Sequence, residues 1–142
     1  MIRKKIKSNN KQMIDALNTA IACNDMNTIQ ELLANNIDVN ETDSNGKYPV
    51  MIAVEFGNIN ALKMLIRRGA NVNAVYKQTG YSLLMKALAM KYIPNRYLIV
   101  STLLKNGTDV NILSDDSKTA LYLARSKRVA YINILKRFGA TY

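Results

Sequence analysis

Apolar positions along the chain fall into short runs at helical spacing, separated by polar strings rich in Asn, Asp and Gly, and the whole pattern recurs. Paired apolar residues close one helix of each copy: Leu32-Leu33, Leu65-Ile66 and Leu103-Leu104. Glycines follow at Gly69, Gly107 and Gly139, where a helix end turns into the left-handed region without a Cβ penalty. The first copy has Asn36-Ile37 at that place instead. Alanines recur in register at Ala20, Ala53, Ala87 and Ala124, spaced 33, 34 and 37 residues apart. A small residue there lets two helices approach closely. Pro49 suits the first turn of a helix, where its missing N–H is no loss. Strings such as Asn40-Glu41-Thr42-Asp43-Ser44-Asn45-Gly46 carry turn chemistry. Each copy therefore predicts two helices and a projecting, hairpin-like loop. Self-similarity at this period signals stacked repeats.

Two longer strings fix the register. Asp38-Val39-Asn40, Asn71-Val72-Asn73 and Asp109-Val110-Asn111 repeat the first. Gly46 to Ala53, Gly80 to Ala87 and Ser117 to Ala124 repeat the second, and a degraded copy ends in Leu17-Asn18-Thr19-Ala20. Together these strings resemble the ankyrin repeat, best over residues 43–73: Asp43, Gly46, Pro49, Ala53, Gly57, Leu62, Leu65, Gly69, Ala70, Val72 and Asn73. The resemblance covers nearly everything after residue 11. It implies an all-α solenoid of four helix-turn-helix repeats with projecting loops, at about 11–40, 41–73, 74–111 and 112–142, behind a basic segment at 1–10. Abundant Asn, Lys and Ile, as in AT-rich genomes, fits a small stand-alone domain of bacterial or viral type.

The chain departs from the family in three places. The family's histidine is replaced by Asn18, Met51, Met85 and Tyr122. That histidine ties one turn to the next, so looser turns or turns held by packing are expected. The third repeat is enlarged, by one residue in the loop 73–80 and by four between its helices at 91–97. Insertions in repeats go to loops, and loops carry function. The terminal repeats read as polar caps: Lys136 stands where inner repeats have Ile66 and Leu104, and Asn18, Thr28, Gln30 and Glu31 stand at positions more apolar inside. Two caps imply a complete domain.

Composition narrows the picture. A chain of 142 residues favours one domain with a core of its own. The start, Met1 to Asn10, is basic but has no apolar run behind it, so neither a signal peptide nor a membrane helix is expected. A cytoplasmic protein is the expectation, with export by a dedicated secretion system as the exception. Cys23, the single cysteine, has no disulfide partner and lies in a periodic apolar run, which predicts a small buried hydrophobe. With no histidine in the chain, Ser-His and Cys-His catalysis have no base, and no zinc set exists. No Gly-x-x-x-x-Gly-Lys-Ser/Thr string for nucleotide phosphates occurs, and the adjacent acids Asp115-Asp116 lack the oxygen ligands for a cation site. No cofactor, metal or catalytic residue is expected.

What remains is binding. The resemblance implies contact through loop tips and the exposed side of each first helix, lining a concave face. Carried over position by position, this gives Ser44, Asn45, Lys47, Glu55 and Phe56 in the second repeat. In the third it gives Lys77, Gln78, Tyr81, Ala89 and Met90, and in the fourth Asp115, Asp116, Lys118, Ser126 and Lys127. Phe56, Tyr81 and Met90 would be the anchors, and Tyr76, Tyr92 and Tyr97 a second patch. The net charge of +10 comes from lysines and arginines spread along the chain, with no stripe interleaved with aromatics. The expected partner is a protein with an acidic surface, ahead of nucleic acid, with no small-molecule substrate and a monomeric chain. An immunity or antitoxin-like inhibitory protein is the leading role. A host-directed effector and a basic nucleic-acid-binding protein are the alternatives.

Overall fold

The structure, a computed structural model, describes the backbone of residues 2–141 and the side chains of residues 9–141. The side chains of Arg3, Lys4, Lys5 and Lys7 lie outside that part. Among the described residues the fold is all-α apart from one hairpin of two-residue strands, and eight helices form four pairs. The chain divides into two compact units, 1–71 and 72–142. Each contains two helix pairs.

In the first unit α1 (Ile2–Ala22) pairs with α2 (Met26–Ala34), and α3 (Pro49–Glu55) with α4 (Ile59–Arg67). Ile14, Leu17 and Ile21 sit three and four residues apart, so they share one face of α1. That face packs on α2 and α3. Ile29, Leu33, Leu62 and Leu65 complete a core with almost no exposure. Each such side chain contributes about 1.5–3 kcal/mol by leaving water. The second helices start on side-chain caps: Asp25 accepts from the Thr28 N–H and Asn58 from the Ala61 N–H. Asn58 also donates to the Ile21 carbonyl at 3.1 Å, fastening the α3–α4 turn to α1.

In the second unit the enlarged loop closes as a hairpin, β1 (Val75–Tyr76) against β2 (Tyr81–Ser82). Ser82 then caps α5 (Leu83–Ala89), which pairs with α6 (Arg96–Lys105). Thr119 caps α7 (Ala120–Ala124), which pairs with α8 (Val129–Arg137). Helix α5 packs on α7, and α6 on α8. The insertion between α5 and α6 is fastened at three points. Ile93 is buried, Asn95 takes the left-handed conformation at φ 55°, and Arg96 Nη2 donates to the Met90 carbonyl at 2.6 Å.

The recurring Val-Asn strings acquire a physical meaning here. In Asn40 the side-chain amide behaves as a detached peptide group. Its Nδ2 donates to the Gly69 carbonyl and its Oδ1 accepts from the Asn71 N–H, at 2.9 and 2.8 Å. Asn111 does the same with the Gly139 carbonyl and the Thr141 N–H, and Asn73 Oδ1 accepts from the Asp109 N–H at 2.7 Å. A carboxamide offers a donor and an acceptor on one short stem, where an ionised carboxylate of the same length offers acceptors alone, which explains Asn rather than Asp at these places. In the first repeat Asn36 takes the glycine's left-handed place at φ 52°.

Several expectations need correction. Asn18 does not face outward as part of a polar cap. It is buried, and its Nδ2 donates to Asp43 Oδ2 at 2.9 Å and to the Lys47 carbonyl at 3.2 Å. The first turn is therefore tied to the next by an amide in the histidine's place, not loosened. In the second unit the corresponding tie is main-chain: the Asp115 N–H donates to the Thr79 carbonyl at 3.1 Å. The last repeat is less polar outside than a cap should be, with Val129 67% and Phe138 40% exposed. Cys23 is exposed, because α1 ends at Ala22 and the chain turns through Asn24 at φ 56°. Tyr76 is buried in the hairpin beneath the Lys86 ammonium, 4.9 Å from its ring centre, and so leaves the tyrosine patch.

Two stability changes follow. Asn40→Asp removes a donor and sets a carboxylate against the Gly69 carbonyl, so it should lower unfolding free energy by about 1 kcal/mol. Ser117→Gly relieves a left-handed serine at φ 58° and should raise it by about 1 kcal/mol. Denaturant unfolding of the two variants beside wild type measures both signs.

Candidate protein-binding surface

The expected contact residues divide between the two units, and their local chemistry differs. In the first unit Asp43 is buried beneath the loop tip and accepts from the Asn45 and Lys47 N–H groups through Oδ1. Gly46, at φ 77°, completes the turn. Ser44 is held from outside: its N–H and hydroxyl donate to the Asp15 carboxylate at 2.7 and 2.6 Å. Lys47 and Glu55 are paired at 2.8 Å, which takes both out of the pool of free charges. Phe56 stands 52% exposed just past α3 and is the one open aromatic of this group.

In the second unit Lys77 and Gln78 are exposed at the tip of the hairpin. Gly80 lies so close to the fourth repeat's loop that an added Cβ would come within 2.7 Å of the Asp115 main-chain nitrogen. Asp116 accepts from the Ser114 hydroxyl and pairs with Lys118 at 2.6 Å. These contacts hold the Asp116 carboxyl below, and the Lys118 ammonium above, their ordinary values. Lys118 also sits 5.8 Å from the centre of the Tyr122 ring, and Arg125 lies 6.0 Å from the same ring. Met90 is half-buried, and its carbonyl serves the insertion.

Among the described residues, recesses on this unit include two beside the turn between α7 and α8. One, of about 460 Å³, is lined by Tyr81, Leu88, Ala89, Tyr122, Leu123, Arg125, Ser126 and Lys127. Tyr81 and Ala89 of the third repeat thus line one recess with Ser126 and Lys127 of the fourth. It adds Tyr122, which sequence reasoning had placed only as a substitute for histidine. The other, of about 610 Å³, is lined by Ile93, Arg96, Ser126, Lys127, Arg128 and Tyr131. Tyr131 packs against Tyr97 with ring centres 5.9 Å apart. Tyr92 is exposed nearby in sequence, so two of the three tyrosines expected to form a patch remain open.

Charge is less evenly spread than the string of lysines suggests. Residues 1–71 hold nine Lys and Arg against seven Asp and Glu, a net of +2. Residues 72–142 hold eleven against three, a net of +8. Those three acids, Asp109, Asp115 and Asp116, all lie in one loop, so the helices of the second unit carry no carboxylate. Counting acids as well as bases would have shown this from the sequence. Among the described residues no cluster of three or more potential metal ligands occurs, and no helix is long and apolar enough to cross a membrane.

Four helix pairs, glycine or asparagine C-terminal turns and Asn straps define a helical repeat protein. Residues 17–114 match the family model of ankyrin repeats (3 copies), and the chain belongs to the ankyrin-repeat family. It is 32% identical to the mouse B-cell lymphoma 3 protein homolog, over 89% of this chain and 27% of that protein. It is 34% identical to the rice probable E3 ubiquitin-protein ligase XBOS34, over 76% of this chain and 20% of that protein. A nine-banded armadillo (Dasypus novemcinctus) protein named for ankyrin-repeat, SAM and basic leucine zipper domains matches at 26%, over 85% and 25%. The chain thus spans about a quarter of the length of the relatives it matches.

The loop tip of the first unit should respond to acid. Asp15's carboxyl is held below its ordinary value, first by the Ser44 hydroxyl and then by the Ser44 N–H, with burial opposing and Lys11 adding a little. A lowered folded value means that the contact stabilises fully above the unfolded carboxylate pKa and is lost as pH falls through the folded one. In Ser44→Ala the Asp15 titration midpoint, followed by carboxyl NMR shifts, should move up toward the ordinary value of about 3.9. An unmoved midpoint would show that the contact does not form in solution.

Proposed function

We propose that the chain is a non-catalytic module that holds a partner protein with an acidic surface, using loop tips and the exposed sides of its first helices. The observation that carries this reading is the recess at Tyr81 and Tyr122. It is a hollow whose lining joins Tyr81 and Tyr122 to Leu88, Ala89 and Leu123, with Arg125 and Lys127 among its walls. Aromatic and arginine side chains around a hollow are the composition of interface anchors. In the first unit Phe56 offers a second contact, while Ser44 and Asn45 shape their loop tip. Membership of the ankyrin-repeat family supports protein binding over catalysis, and the lack of a histidine base points the same way.

A binder with no chemistry of its own acts by occupying a surface. An inhibitory, immunity-like role fits a small basic chain that covers an acidic site on its target. A host-directed effector would use the same surface on a different protein. One observation favours nucleic acid as a second reading: the net +8 of residues 72–142.

Affinity capture from the native cell, with the Tyr81→Ala/Tyr122→Ala double variant as control, tests the reading. Wild type should retain one protein partner, and the variant should bind it at least tenfold more weakly, about 1.4 kcal/mol. Capture of nucleic acid alone, lost between 50 and 200 mM salt, would overturn protein binding.

A further inference from the structure

The recess under the third-repeat insertion is chemically distinct from the aromatic one beside it. Its walls come from the insertion, through Ile93 and Arg96, from the turn Ser126–Arg128 between α7 and α8, and from Tyr131. Three of its six lining residues are cations, and none is an acid. Among the described residues Arg96, Lys127 and Arg128 form no ion pair. Arg96 has one acceptor, the uncharged Met90 carbonyl, and its Nε is enclosed without a partner. The neighbouring helices bring no carboxylate to balance this charge.

Three like charges lining one open recess, with hydroxyls beside them and no counter-charge in its walls, repel one another in the isolated chain. The arrangement becomes favourable when an anion enters. The walls are also set in advance. Arg96 is fixed by the Met90 carbonyl, Tyr131 by the Tyr97 ring, and Ile93 by burial. An anionic group entering here would meet one guanidinium already held in place, with Lys127 and Arg128 left to turn toward it, so part of the ordering cost is met in advance.

The recess shares Ser126 and Lys127 with the aromatic one, so the two are adjoining halves of one groove. We infer that the insertion of the third repeat builds a subsite for an anionic side chain of the partner's peptide, next to an apolar side chain seated between Tyr81 and Tyr122. The occupant is thus a short peptide segment in which an apolar residue is followed or preceded by Asp, Glu or a phosphorylated residue. This inference rests on the protein-binding reading above and adds the partner's chemistry to it.

The test is selection of peptides from a random display library on the intact chain. The controls are Lys127→Glu/Arg128→Glu, whose side chains are half-buried and exposed, and Tyr81→Ala/Tyr122→Ala, both checked for unchanged helical circular dichroism. Selected peptides should be enriched in Asp and Glu beside an apolar residue. Their affinity should fall at least tenfold in the charge-reversed variant and fall with added salt. Synthetic phosphoserine and glutamate versions of the best peptide then show which anion fits better. Enrichment without acidic bias, or equal binding to the charge-reversed variant, would overturn the subsite. If those peptides still lose affinity in the tyrosine variant, protein binding stands without it. Failure to select any peptide, together with tight binding of a DNA duplex that the charge reversal abolishes, would overturn both.

Discussion

A helix of five to ten residues does not persist alone in water, because nucleation costs more than so few hydrogen bonds return. Every helix here except α1 falls in that range. Each must therefore be held by what it packs against, and the rest of the structure answers that constraint. The paired alanines, the buried leucines and the caps at Asp25, Asn58, Ser82 and Thr119 all settle short helices onto neighbours. The straps from Asn40, Asn73 and Asn111 do for the loops what packing does for the helices. With stability built from such neighbour terms, surface residues are released for binding.

The two units spend that freedom differently. In the first, the charged groups near the loop tip are largely satisfied: Lys47 with Glu55, Asp15 with Ser44, Asp43 with its own turn. In the second, the cations outnumber their partners and gather around a groove with two aromatic rings at one end. A paired charge shapes a surface, and an unpaired one attracts a ligand. The insertion matters for the same reason. It lengthens the path between α5 and α6 and so provides a wall that the regular repeats do not have.

Much of the fold was legible in the sequence, because the period near 33 residues, the glycine C-terminal turns and the Pro49 start each have a local physical cause. The left-handed positions at Gly46, Gly69, Gly80, Gly107 and Gly139 are visible as letters, and Asn36 fills the missing one. What the letters hid was partnership at a distance. Nothing local in Asn18 says that its amide reaches Asp43, or that Tyr76 folds under Lys86 while Tyr92 stays open. Cys23 was misjudged because apolar periodicity ran one residue past the end of α1. The repeat register listed Tyr81, Ala89, Ser126 and Lys127 as contact positions, and they line one recess. Tyr122 escaped notice because it occupied a position read only for the residue it replaced.

The asparagine straps have a consequence beyond cohesion. The N–H groups of Asn71, Asp109 and Thr141 each end on the side-chain oxygen of an asparagine in the preceding repeat, not on their own repeat's backbone. Their exchange with solvent deuterium is thus gated by the parting of two neighbouring repeats, and each reports one junction. The three amides make the chain its own gauge of cooperativity. Equal protection would mean that the repeats let go together, and unequal protection would show which junction parts first.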